Sequence, residues 1–311
     1  MLYGIDEYKE LNLIKKPRLN KKKVFLFILL IFIICITIFF ILKKPNNQDV
    51  SKTSENVNKN ISNTNTSNQN TYSGNHIQIA EHNIEKIKTQ LVPQANENAT
   101  EQIKNIYYSD EKQVYLTFDD GPSKDITPQI LDILKAHDVK ATFFVLGARV
   151  ELYPDTLKRE FDEGHYIANH GYSHKYSQIY ESKDTVFQEY VECENSIKKA
   201  LNNNDYNSYL FRFPGGSSGG RYENIKAEAR NLFKTYGVAY TNWNCLTGDA
   251  ENKDTKEECI QEMLETKGNQ NSIILLMHDS NDKPQTVEAL PDIIQYYKNE
   301  GYTFKTFYEI F

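Results

Sequence analysis

Gln113-Val114-Tyr115-Leu116-Thr117-Phe118-Asp119-Asp120-Gly121-Pro122 is an apolar run that closes on two adjacent acids in a turn. Its aromatic and β-branched content predicts a strand over 113–118. Thr127-Pro128 then predicts a helix over 127–137, with Thr127 as cap and Pro128 at the first helical position. The same alternation continues to the end of the chain. Strands are expected at 141–146, 165–168, 209–213, 238–241, 272–277 and 302–306, and helices at 154–163, 184–202, 222–236, 254–267 and 286–299. Runs apolar on both faces and separated by helices indicate a parallel sheet wrapped by helices. The fold class expected for residues 106–311 is therefore α/β, a distorted (β/α) barrel of about seven parallel strands, in preference to a doubly wound sheet.

The 311-residue chain is uneven ahead of that domain. Residues 24–42 contain no charged side chain, although a quarter of the chain is charged. As a helix this run reaches about 28 Å, close to the thickness of a bilayer's hydrocarbon core. Lys43-Lys44-Pro45 follows it in place of a small-residue cleavage site, so one uncleaved transmembrane signal-anchor is expected. Seven Lys/Arg precede the run and two follow it closely, which puts residues 1–23 in the cytoplasm and the rest outside a cell membrane crossed once. Residues 43–105 are expected to be an extracytoplasmic linker, because 45–75 hold ten Asn among Ser, Thr and Gln with no apolar periodicity. If residues 45–105 were all flexible they would reach about 45 Å. The first 44 residues carry +6, so the remainder carries −12, and an acidic folded part argues against a nucleic-acid partner. Cys193, Cys245 and Cys259 have no metal-site spacing and read as small buried hydrophobes.

Polar residues that interrupt the apolar pattern carry the chemistry. Asp119 and Asp120 follow the first strand, at what is the catalytic face of a βα barrel. His170-Gly171-Tyr172-Ser173-His174 follows the third, its two imidazoles at i and i+4 on one turn of helix or in a tight loop. One carboxylate with His170 and His174 makes a three-ligand metal site with open positions, and the second carboxylate stands beside it as a base. Arg212, in Arg212-Phe213-Pro214-Gly215-Gly216, suits a carboxylate clamp. Asp249 lies near a strand end, and the run 272–277 ends on His278, placed to protonate a leaving amine.

This ordered set resembles the polysaccharide deacetylase family, also called the NodB-homology or carbohydrate esterase family 4 domain, over residues 106–311. Thr117-Phe118-Asp119-Asp120-Gly121-Pro122 matches the first motif. The resemblance implies Asp119 as base, and Asp120, His170 and His174 as ligands of a divalent metal, zinc or else Co2+, Mn2+ or Ni2+. It further implies Arg212 as the residue orienting the base, and Asp249 as the acid that tunes the catalytic His278. Leu276 would line the acetyl pocket, and Pro214 and Gly215 would contact substrate. Two positions depart from the pattern. An aromatic is common where Gly215 stands, leaving only a backbone N–H to bind an oxyanion. A Trp is common where Ala250 stands, which widens or re-walls the groove.

The expected activity is hydrolysis of N-acetyl groups on cell-wall glycan. Peptidoglycan N-acetylglucosamine comes first, because the anchor and tether hold the domain against the wall; the amine product would favour lysozyme resistance. N-acetylmuramic acid, chitin oligomers and other surface polysaccharides are alternatives with the same chemistry. A wall-binding module with a degenerate site is a further one, as is a non-haem iron oxygenase, which also uses two His and a carboxylate. A monomer is expected.

Overall fold

Side chains of a strand alternate between two faces, so what covers each face decides the architecture. The computed structural model describes residues 92–311. In chain order these form α1 (Ala99–Tyr107), β1 (Gln113–Asp119), α2 (Ile126–Ala136), β2 (Thr142–Val145), α3 (Gly147–Leu152), α4 (Pro154–Asp162), β3 (Tyr166–Asn169), α5 (Tyr176–Ile179), α6 (Lys183–Leu201) and β4 (Leu210–Phe211). There follow α7 (Glu223–Thr235), β5 (Ala239–Tyr240), β6 (Cys245–Leu246), α8 (Lys256–Lys267), β7 (Ser272–His278), α9 (Pro284–Asn299), β8 (Thr303–Phe304) and a 3-10 turn, Phe307–Glu309.

Seven strands run in the order β5-β4-β3-β2-β1-β7-β6, and every recorded pairing is parallel. β8 is off this path and pairs with Gln113 and Val114, the start of β1 that β2 leaves uncovered. β7 pairs with all of β1, in a register that sets Asp119 opposite His278. The terminal strands β5 and β6 are not joined, so the expected barrel of about seven parallel strands is a curled half-barrel, open on one side. The open end is where β4, β5 and β6 are only two residues long.

On the outer face Val114, Leu116, Phe118, Phe143, Val145, Ile167, Ile273, Leu275 and Met277 pack in one cluster with Ile130, Leu131 and Leu134 of α2 and Ile293 and Ile294 of α9. On the inner face Tyr115, Phe144, Tyr166, Ala168, Leu210, Ala239 and Ile274 pack against Ala99, Ile103 and Ile106 of α1 and against Phe307. The bottom of the half-barrel is thus plugged by α1 and the C-terminal turn. The linker expected over 43–105 is corrected at its end, because α1 belongs to the packed domain. Its apolar residues recur at helical spacing inside a polar Asn/Glu/Gln context that hid them.

Three smaller expectations change. α2 starts at Ile126 with Asp125 at the cap position. Thr127 is buried instead, its Oγ1 accepting from Ser123 N–H at 2.7 Å and donating to Asp279 Oδ2 at 2.6 Å. β6 was not expected, since two residues make no apolar run. The three cysteines are buried and unpaired, as expected. Among the described residues no helix is long and apolar enough to cross a membrane. The expected cytoplasmic segment 1–23, the span 24–42 and the linker up to residue 91 lie outside the described residues.

Candidate active site

The inner face changes character along the strands. The alternation that puts Tyr115 and Ile274 into the plug continues upward to Thr117 and Asp119 on β1 and to Leu276 and His278 on β7. Just past β3 and β4 it delivers His170 and Arg212 to the same end. Polar residues interrupt the core there because the plug does not reach so far.

Arg212 is fully buried and holds the base side together. Its Nη1 donates to Asp119 Oδ1 at 2.9 Å and to Thr117 Oγ1 at 2.8 Å, and Nη2 donates to the Asn242 carbonyl at 3.1 Å. The guanidinium also lies 3.9 Å from the Phe144 ring centre. Thr117 passes its own proton to the Leu275 carbonyl at 2.6 Å, which leaves its lone pairs for Arg212. Asn242 is held in turn by α1, since its N–H donates to Tyr107 Oη at 3.0 Å. Burial raises the Asp119 carboxyl above its usual range, with the Arg212 and His278 charges opposing.

Next to this pair, Asp120 Oδ1 lies 3.6 Å from His170 Nε2 and 3.4 Å from His174 Nε2. The ligand atoms of these three residues all lie within 4.8 Å of one another. Asp120 and His174 both have positive φ, +77° and +57°, so the turn bends backbone that ordinary side chains avoid in order to aim them. The segment between the histidines is a tight loop, one of the two forms expected. Glu189 of α6 clasps it by accepting from the Tyr172 and Ser173 N–H groups at 2.6 and 2.7 Å and from Ser173 Oγ at 2.6 Å. His170 Nδ1 is 2.7 Å from the Arg212 carbonyl, which can only accept, so the proton sits on Nδ1 and the Nε2 lone pair faces Asp120. Burial lowers His170 to about 3, keeping the ring neutral and in the form that binds metal.

The donor set fits a divalent cation. Asp120 Oδ1 is buried with no hydrogen-bond partner among the described residues, and the groups facing it are two imidazole nitrogens. One carboxylate oxygen and two imidazoles are ligands that zinc and its neighbours accept.

His278 faces this group from β7. Its Nδ1 donates to Asp249 Oδ1 at 2.8 Å; Asp249 Oδ2 accepts from the His278 backbone N–H and from Thr286 Oγ1, both at 2.7 Å. Burial disfavours the imidazolium, but the hydrogen bond and charge of Asp249, with Asp119 and Asp120 adding, raise His278 to about 9. Burial pushes Asp249 the other way, and its hydrogen bonds to His278 and Thr286 outweigh it, leaving this carboxyl below its ordinary value. His278 therefore carries a proton at neutral pH, and Nε2 is free to give it.

Every site residue expected from sequence reaches this end of the sheet, though not in equal condition. Leu276 is 7% exposed, on the same face as Asp119 and His278. Pro214 is buried and its carbonyl accepts from Tyr180 Oη at 2.6 Å, which seats the next residue. Gly215 is exposed, and its N–H has no partner among the described residues. Asn242, Tyr107, Glu189 and Thr286 went unnoticed in the sequence, and Thr117 was named only as part of its motif. They act through partners distant in sequence, on other elements, and no local pattern marks such residues.

The model of the family described as polysaccharide deacetylase matches residues 107–241. The peptidoglycan-N-acetylglucosamine deacetylase of Bacillus cereus is 35% identical over 204 residues, covering 64% of this chain and 71% of that protein. The peptidoglycan-N-acetylmuramic acid deacetylase of Bacillus subtilis is 35% identical over 199 residues, 63% of this chain and 70% of its own. A solved Streptococcus mutans CE4 esterase superposes with a TM-score of 0.61 at 29% identity, covering 69% of this chain and 92% of that one. The half-barrel, the matched residues and the shared length agree, and the chain belongs to the polysaccharide deacetylase family.

Proposed function

We propose that this chain is a metal-dependent N-deacetylase of peptidoglycan N-acetylglucosamine, releasing acetate and leaving a free amine. One observation carries the reading: Asp119, a carboxylate with Oδ1 on Arg212 and Oδ2 left open, and His278, a protonated imidazole, flank the Asp120–His170–His174 cluster from adjacent strands. A divalent ion there, zinc before Co2+, Mn2+ or Ni2+, would polarise the acetamide carbonyl and acidify a water. Asp119, steadied by Arg212, takes the proton of the attacking water. His278, steadied by Asp249, gives a proton to the departing nitrogen. Leu276 supplies an apolar wall for the acetyl methyl.

The choice of glycan rests on the relatives and on the N-terminal third. Residues 24–42 anchor the protein once in the membrane, with residues 1–23 inside and the catalytic domain on the wall side as a monomer. Peptidoglycan is the first N-acetylated polymer it meets, and loss of the acetyl groups would favour lysozyme resistance. N-acetylmuramic acid is the second reading, because a relative named for that activity is equally similar.

The test is acetate release by the purified full chain from intact peptidoglycan and from chitin oligomers, with and without chelator. Release from peptidoglycan that chelator abolishes and added zinc restores is expected. No release from either substrate by metal-loaded protein would sink the activity; release insensitive to chelator would sink the metal.

A further inference from the structure

Gly215 stands where a side chain has no room. Its φ is +71°, and a Cβ there would lie 2.7 Å from Tyr176 Oη and 3.0 Å from Cε1 of the same ring. The hydroxyl edge of the Tyr176 ring therefore fills the space a side chain at Gly215 would take. Its other aromatic neighbours are His174, edge-on at 5.5 Å between centroids, and Tyr180 at 5.8 Å. Tyr176 is 39% exposed, so one side of it opens to solvent next to the cluster of Asp120, His170 and His174.

The contact places two donors side by side. The Gly215 N–H has no partner among the described residues. A Cβ and the amide nitrogen hang from the same Cα, so Tyr176 Oη and that nitrogen lie within about 5 Å of each other, a gap that one oxygen accepting at about 2.9 Å from each can bridge. A phenol is a donor at neutral pH. Both groups sit on the His174 side of the site.

We propose that Tyr176 is a catalytic residue, its O–H pairing with the Gly215 N–H to hold the acetamide oxygen as that oxygen becomes negative. The assignment rests on the deacetylase reading above. When water adds to the carbonyl carbon, the C=O π pair moves onto oxygen, and the two donors stabilise that charge. As the C–N bond breaks, its electron pair goes to nitrogen, which takes the His278 proton. The oxygen returns to a carbonyl, and Asp119 later releases the proton taken from water. Oxyanion donors are worth most where they are pre-arranged, as the contact between Tyr176 and Gly215 arranges these two. Tyr176 thereby supplies from the histidine loop a polar group that Gly215, without a side chain, does not.

The test compares the zinc-loaded full chain with Tyr176→Phe, which keeps the ring and removes only the hydroxyl. The kcat for acetate release is expected to fall about 10- to 100-fold with KM nearly unchanged and bound zinc unchanged. Unaltered kcat, or a rise in KM alone, overturns the assignment and leaves the ring as a sugar platform. Loss of zinc from Tyr176→Phe also overturns it, in favour of a support for His174. If the wild-type chain releases no acetate, the deacetylase reading falls and takes this one with it; if it releases acetate and Tyr176→Phe matches it, only Tyr176 is wrong.

Discussion

Asp119 and Asp249 are both buried carboxylates, each bonded to one basic side chain, yet their surroundings push them in opposite directions. Asp249 has both oxygens occupied, by the His278 ring, the His278 N–H and Thr286. Asp119 has Oδ1 on Arg212, while Oδ2 faces His170 Nε2 at 3.7 Å, too far for a hydrogen bond. The filled carboxylate is locked as an anion and lends its charge to His278. The half-filled one keeps a lone pair for a proton. Hydrogen-bond saturation, more than burial, separates Asp249, the proposed supporting acid, from Asp119, the proposed base.

Breaking the base side is expected to have the largest effect. Asp119→Asn keeps an acceptor for Arg212 but cannot take a proton, so acetate release should fall at least about 1,000-fold with metal content unchanged. An Asp119→Asn protein with near-normal kcat/KM would place the base elsewhere. Asp249→Asn comes next, at about 100-fold, and it also moves the pH profile. In the proposed role His278 acts protonated, so activity is expected to fall as pH rises through its pKa, about 9 in the intact pair. Without the Asp249 charge burial dominates, and the alkaline limb should move to lower pH; an unmoved limb would detach His278 from that limb.

Tyr107→Phe tests the base side from a distance. It removes the acceptor of Asn242 N–H and so loosens the carbonyl that holds Arg212 Nη2. A kcat loss of about 10-fold or less with the alkaline limb fixed is expected, since nothing on the Asp249 side is touched. Glu160 sharpens the comparison as a carboxylate with no hydrogen-bond partner on either oxygen among the described residues. Burial, with the charge of Asp279 beside it, raises Glu160 well above its ordinary value of 4.5. The native state then holds a proton that the unfolded chain releases, so stability falls as pH rises from about 4.5 through the raised folded-state value. Glu160→Gln has no proton to lose, and its thermal midpoint should exceed the wild type's by a few degrees at pH 8 and converge with it near pH 4. Parallel pH curves for the two proteins would show Glu160 ionised in the fold.

The motif residues were legible because each breaks an otherwise apolar strand end, and the sheet was legible because β1, β2 and β7 are buried on both faces. What escaped has a common cause. Ile103 and Ile106 sit in a short helix whose exposed side looks like linker, and Tyr107, Asn242 and Glu189 gain meaning only from backbone groups far along the chain. Local pattern records which residues are buried; it does not record whose carbonyl or amide waits for them. Gly121 shows the same blindness, since a Cβ there would come within 2.0 Å of Asp279 Oδ2, on another strand's end, where turn chemistry alone would have tolerated one.

The register that pairs Asp119 with His278 across β1 and β7 has a further consequence. Partnered residues in parallel strands project to the same side at the inter-strand spacing of about 4.8 Å, so the interval between proton acceptor and proton donor is a property of the ladder. A slip of one residue would turn one of them into the outer core, which the seven paired residues of β1 forbid. The reaction's dimensions are thereby insulated from the loops. On the proposed mechanism, the segments around Tyr176, Gly215 and Ala250 could be rewritten to suit a new glycan while the interval between the two proton-handling residues stayed as it is.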